Sequence, residues 1–158
     1  MTNRLRKVKI RYAGNLRDTA GNPAHAATFI RQRLIVLDCE LRRDPAEHRR
    51  ILVHELFHFV WVRLGNGRRR RWEDLLRLEW DARARGEAGW SAEWRKRDLT
   101  RVDVRHRTRK WRQYCCESFC DTAAALQTGA RGEVTLAPGR LATRRDWFAR
   151  QLPSPFPI

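Results

Sequence analysis

Residues 44–65 constrain the fold more than any other stretch of this 158-residue chain. Asp44 can accept hydrogen bonds from the free N–H groups of a helix start, Pro45 sits where a missing N–H costs nothing, and Glu47 puts an acid in the first turn. Gly65 supplies the stop. From Ile51 to Leu64 nearly every residue other than His54, Glu55, His58 and Arg63 is apolar. A helix that is apolar all round must be covered on all sides, so the pattern predicts an element running through the interior of the domain. Two histidines and a glutamate within such a helix need partners, because burying them alone is costly.

The rest of the chain reads as α+β built around that helix. Val8, Ile10 and Tyr12 alternate with Lys7, Lys9 and Arg11, which predicts a strand with one buried face. Residues 28–38 contain the run LIVL and predict one or two further strands, with a hairpin turn near Gln32. The run Arg68 to Arg71 reads as an exposed loop, and Trp72 to Arg85 as an amphipathic helix ended by Gly86 and Gly89. Thr100 with Asp103, or else Thr108, opens a helix that carries Trp111, Tyr114, Glu117, Phe119 and Asp121 and stops at Gly129. A short strand near Val134 to Leu136 and a helix led by Thr143 complete a single domain over 1–158. A chain of this length buries roughly two thirds of its unfolded surface, so it needs no metal merely to fold.

Charge marks one region. The formal net charge is +16, and between Arg63 and Arg112 there are 17 basic and 8 acidic residues. The basic, Trp- and Arg-rich stretch at about 65–107 reads as an insertion in the domain. Arg68, Arg69, Arg70 and Arg71, with Trp72, Trp90, Trp94 and Trp111 interleaved among further arginines, could hold nucleic acid by phosphate contacts and stacking. No apolar run approaches the ~20 residues of a membrane span, and the first residues carry charges where a secretion signal would be apolar, so a cytoplasmic protein with no membrane partner is expected. Cys39, Cys115, Cys116 and Cys120 are too few for a disulfide framework and read as reduced thiols.

The chemistry centres on His54-Glu55-Leu56-Phe57-His58, an HExxH pattern. Residues four apart share a helix face, so both imidazoles can reach one ion, while Glu55 lies about 100° round and can contact a water on it. A catalytic zinc takes three protein ligands and keeps a fourth position for water. A histidine in the HExxHxxGxxH register is excluded, because Trp61 and Leu64 occupy the last two defined positions. The remaining candidates are His106, Cys115, Cys116, Glu117, Cys120 and Asp121. His106 precedes Glu117 by about 16 Å of continuous helix, so the two cannot serve together without a break. Glu117 is favoured by its apolar setting, and Tyr114, Glu117 and Asp121 share a helix face, so that face can bring a ligand, an acid behind a histidine and a phenol together.

HELFH followed on a later helix by ESFCD resembles the gluzincin branch of the zincin metallopeptidases, and most of all the small ImmA/IrrE-like group and similar minimal gluzincin domains. The resemblance covers roughly residues 28–64 and 111–127. It implies a short N-terminal sheet packed on a buried motif helix, and a second helix bearing a ligand. It implies one zinc per chain on His54, His58 and Glu117, with Glu55 as general base and Asp121 as the acid that follows the ligand glutamate. The expected activity is hydrolysis of a peptide or protein substrate by a zinc-activated water. Tyr114, or an arginine from 95–112, is the candidate for steadying the oxyanion, and the strand Leu34 to Leu37 would line the cleft and pair with an extended substrate. Two alternatives stay open: a SprT-like protein with a later histidine as third ligand and a DNA-binding surface, or a nucleic-acid-binding module in which HExxH is structural.

Overall fold

The computed structural model describes residues 7–129 and 133–152. The six N-terminal residues, whose charges entered the expectation about localisation, lie outside them. Among the described residues, six α-helices and a three-stranded sheet make the protein α+β. No helix among them is long and apolar enough to cross a membrane.

Helix α1 spans Pro45–Arg63, and the Asp44 carboxylate accepts the Glu47 N–H at 3.1 Å, as its cap residues predict. It lies between two cores. On one side Ile51 and Phe59 pack with Ile35, Leu37 and Leu41. On the other, Phe57, Val60 and Leu64 meet Trp72, Leu76, Trp111, Phe119 and Trp147. Having a core on two sides explains why the helix is apolar around most of its circumference.

The sheet comprises β1 (Lys9–Ala13), β2 (Ala26–Phe29) and β3 (Leu34–Asp38), in the order β1-β3-β2. β1 runs parallel to β3, and β2 runs antiparallel to it across a turn that contains Gln32. Central β3 buries Ile35 and Leu37 against α1. β1 departs from expectation, since Ile10 and Tyr12 are exposed. It is an edge strand, and Tyr12 stacks on His48 and lies under the Arg42 guanidinium instead of entering a core.

The basic stretch is also different from the expected loop and insertion. Gly65, at φ +77°, ends α1, and α2 (Gly65–Asp81) begins at once, so Arg68 to Arg71 are helical. Arginine is a good helix former, and Arg69 donates to the Trp61 and Val62 carbonyls at 2.9 and 2.6 Å, closing the end of α1. Residues 65–107 supply core as well as surface. Trp72 and Leu76 of α2 are fully buried, as is Trp111 further on, so those two tryptophans are unavailable for stacking on a ligand. Trp90 and Trp94, at 58% and 46% exposure, remain on the surface.

Helix α3 (Trp90–Arg97) was not foreseen. α4 (Arg101–His106) starts with the Thr100–Asp103 capping box, and α5 (Arg109–Thr128) starts after Thr108, so both alternative start signals are used. α5 packs along α1 and α3. Val134 to Leu136 is not a strand: the Thr135 and Leu136 N–H groups both donate to the Glu87 carbonyl. α6 (Pro138–Gln151) begins at a proline five residues before Thr143.

Candidate metal centre

Three elements meet at the motif. α1 presents His54, Glu55 and His58, α5 presents Glu117 and Asp121, and α3 adds Ser91 and Arg95. With Ala26, Ala27, Thr28 and Ile30, all of these except the buried Asp121 line an open cleft of about 370 Å³.

The His54 Nε2 lies 3.2 Å from Glu117 Oε2, and its Nδ1 lies 2.7 Å from Asp121 Oδ1. The His58 Nε2 lies 4.0 Å from both Glu117 Oε1 and Glu55 Oε2, while its Nδ1 faces Cys116 Sγ at 3.6 Å. The two rings are 5.1 Å apart and nearly perpendicular. The two Nε2 atoms thus face different oxygens of the Glu117 carboxylate. Each candidate ligand is also held from behind. Asp121 backs His54 and is itself fixed by the Ala92 N–H at 2.8 Å, Cys116 backs His58, and the Ser91 hydroxyl donates to Glu117 at 2.5 Å. Asp121 seats against Gly89, where an added Cβ would fall 2.5 Å from its carboxyl carbon.

Electrostatics follow from that packing. Burial opposes the charging of His54, but the Asp121 and Glu117 carboxylates outweigh it and hold the imidazole pKa well above its ordinary value. Burial likewise opposes ionisation of Glu117, and the His54 and His58 imidazoles with the Arg95 guanidinium overcome it, so its pKa falls far below the ordinary carboxylate range. Three carboxylates, Glu55, Glu117 and Asp121, surround two imidazoles, an arrangement that favours a cation. Two imidazole nitrogens and a carboxylate on an open side are donor types that suit a divalent ion.

Cys120 competes with Glu117 for the third position, since donor atoms of His54, His58 and Cys120 all lie within 4.8 Å of one another. Cys120 is fully buried and does not line the cleft, whereas Glu117 does. An ion held at Cys120 would lie behind the cleft wall, whereas one held at Glu117 would face the opening. His106 is exposed at the end of α4 and is not part of the cleft, and Cys115 is buried behind the Trp72 ring, whose Nε1–H donates to the Cys115 carbonyl.

Two further expectations require correction. Tyr114 is buried, donates its hydroxyl to Glu87 at 2.5 Å and does not line the cleft, so it cannot steady an oxyanion there. The helix-face argument failed because α5 is buried on more than one side, and 114 turns away from 117. The strand beside the cleft is β2, through Ala26 to Thr28; β3 is paired on both sides and has no free edge.

Sequence reasoning also missed Thr28 and Ser91. The Thr28 hydroxyl donates to Glu55 Oε2 at 2.6 Å, and Ser91 couples Glu117 to Arg95, whose Nη1 donates to the Ser91 carbonyl and hydroxyl oxygens at 2.8 and 3.0 Å. The Ser91 and Arg95 pair, four apart after Gly89, was the only available signal.

Compared with family models, curated proteins and solved structures, the chain matches none of them. What the site can do is read from its own atoms.

Proposed function

We propose that the chain is a zinc-dependent peptide hydrolase of the gluzincin type, with His54, His58 and Glu117 as ligands. The observation that carries this is the convergence of both Nε2 atoms and the Glu117 carboxylate at a cleft open to solvent, each braced by a further protein group. The chemistry such an ion supplies when bound is a readily deprotonated water and polarisation of a carbonyl.

The protein's own groups supply the rest. Glu55, held at the cleft wall by the Thr28 hydroxyl, accepts a proton from the attacking water and returns it to the leaving amine. Asp121 keeps a proton on His54 Nδ1 and so leaves Nε2 free as a donor. Arg95, half-buried beside Glu117, anchored by Ser91 and lining the cleft, is the cation that would steady negative charge developing on a substrate oxygen. The outer edge of β2 offers unpaired backbone groups to an extended peptide.

Metal analysis of purified variants tests the ligand set. Zinc should be about one per chain in the parent, fall sharply in His54→Ala, His58→Ala and Glu117→Ala, and persist in Cys120→Ala. Loss in Cys120→Ala with retention in Glu117→Ala would reverse the choice of third ligand. Glu55→Gln should keep the metal and lose about 10²–10⁴-fold in peptide cleavage. Undiminished cleavage by that variant would exclude the mechanism.

A further inference from the structure

A roomier concavity than the motif cleft lies elsewhere among the described residues. It is a groove of about 810 Å³ between the C-terminal half of α2, the turn after it, and α4, lined by Arg77, Trp80, Arg83, Lys96, Arg101 and Arg105, with Asp81 as its one carboxylate. Lys96 is committed elsewhere, to the Gly86 carbonyl at 2.9 Å and Glu87 at 3.2 Å. The four arginines are not. Arg83, Arg101 and Arg105 are exposed, and none of the four makes an ion pair or a side-chain hydrogen bond among the described residues. Arg77 is half-buried, and its Nε–H is shielded from solvent without an acceptor.

Other arginines of this chain, such as Arg50, Arg107 and Arg144, are matched to carboxylates. Around the groove the arginines are left unmatched, and a concave wall focuses their field. Planar guanidinium forks suit phosphate oxygens, and Trp80 adds an aromatic surface whose other side is packed against the core. A rigid ring among arginines suits a strand whose bases are free to stack, which a duplex does not offer.

From these residues we infer that the groove binds single-stranded nucleic acid, with Arg77, Arg83, Arg101 and Arg105 on phosphates and Trp80 under a base. The site shares no residue with the motif cleft, so it stands or falls separately from hydrolysis. It also differs from the Arg68 to Arg71 run, where Arg69 is already occupied in closing α1.

The test is fluorescence anisotropy of the full chain with a labelled oligothymidylate over a salt series. Log affinity should fall linearly with log salt, and the combined Arg83→Ala, Arg101→Ala, Arg105→Ala variant should shallow the slope by about 2, since each phosphate contact on a single strand contributes about 0.7. A combined Arg68→Ala, Arg70→Ala, Arg71→Ala variant should keep the parental slope. An abasic strand with the same number of phosphates should bind roughly tenfold more weakly, reflecting one lost stack. Matching thermal unfolding midpoints would show that the groove variant, altered only at exposed positions, remains folded. The inference is overturned by absence of binding at low salt, by a slope that follows the Arg68 to Arg71 change instead, or by an abasic strand or polyglutamate binding as tightly as the oligothymidylate.

Discussion

Helix α5 carries two buried polar clusters on different faces, and they are built to opposite rules. One joins Tyr114, Ser118 and Thr122 to Glu87, Glu79 and Arg144. The Arg144 guanidinium is fully buried, reaches Glu79 at 2.6 and 3.1 Å and Glu87 at 2.6 and 3.1 Å, and also contacts the Ser118 and Thr122 hydroxyls. With Lys96 on Glu87, two cations balance two carboxylates and every charged group meets protein. The other cluster, Glu117 and Asp121 with His54, His58 and the neighbouring Arg95, is balanced by imidazoles that can release their protons, and it opens onto a cleft. A closed, neutral network fixes how α2, α5 and α6 meet, while an open one built on imidazoles can exchange their protons for a cation.

The sharpest way to break this contrast is to remove one partner from each cluster. Arg144→Ala strands Glu79 in the interior, leaves Glu87 with Lys96 as its only cation among the described residues, and should cost about 3–5 kcal/mol of unfolding free energy in a urea titration. Glu117→Ala in metal-free protein should cost clearly less, about 1 kcal/mol, because His54 retains Asp121 and can release its other proton into the cleft. Equal losses would make the cleft a structural element.

Both clusters should lose stability in acid, through Glu87 in one and Glu117 in the other, while the open one adds an alkaline limb through its histidines. Burial raises the Glu87 pKa, but Arg144 and Lys96 overcome this and bring it from 4.5 to about 2. Its contribution, roughly 3 kcal/mol, is therefore present above pH 4.5 and lost as pH falls towards about 2. His54 is shifted upward, so in metal-free protein its pairing stabilises the fold below its ordinary value of 6.5 and that contribution fades as pH rises through the folded pKa. Urea midpoints across pH should show an acid limb that flattens in Glu87→Gln and an alkaline limb that shrinks in His54→Gln, the remainder coming from His58, where burial lowers the pKa but Cys116 and Glu117 outweigh it. A single limb shared by both variants would mean that the clusters are one coupled unit.

The smallest expected effect is the most local. Gly89→Ala places a methyl group against the Asp121 carboxylate and should displace it from His54, weakening zinc binding about 10–100-fold in a chelator competition while the Arg144 network is untouched. Backbone strain is not involved, since φ at Gly89 is −173°. Unchanged affinity would show that His54 needs no support from Asp121.

Much of this architecture was legible along the chain because its signals are local. The Asp44 cap, Pro45 and Gly65 bound α1 within neighbouring residues, the Thr100–Asp103 box and Thr108 start α4 and α5, and the four-residue spacing puts His54 and His58 on one face whatever surrounds them. What the tertiary structure alone decided is which distant groups share a space. His54 meets Asp121 across 67 positions, Glu55 meets Thr28 across 27, and Ser91 meets Glu117 across 26. Periodicity along α5 marked Tyr114, Glu117 and Asp121 as neighbours on one face, but packing from several sides sent Tyr114 to Glu87 and kept the two carboxylates for the histidines. The same limit applies to the tryptophans and arginines. Composition shows a basic aromatic stretch, yet burial of Trp72 and Trp111 and the gathering of Arg77, Arg83, Arg101 and Arg105 around one groove depend on how α2, α4 and α5 pack, a non-local choice made by the core.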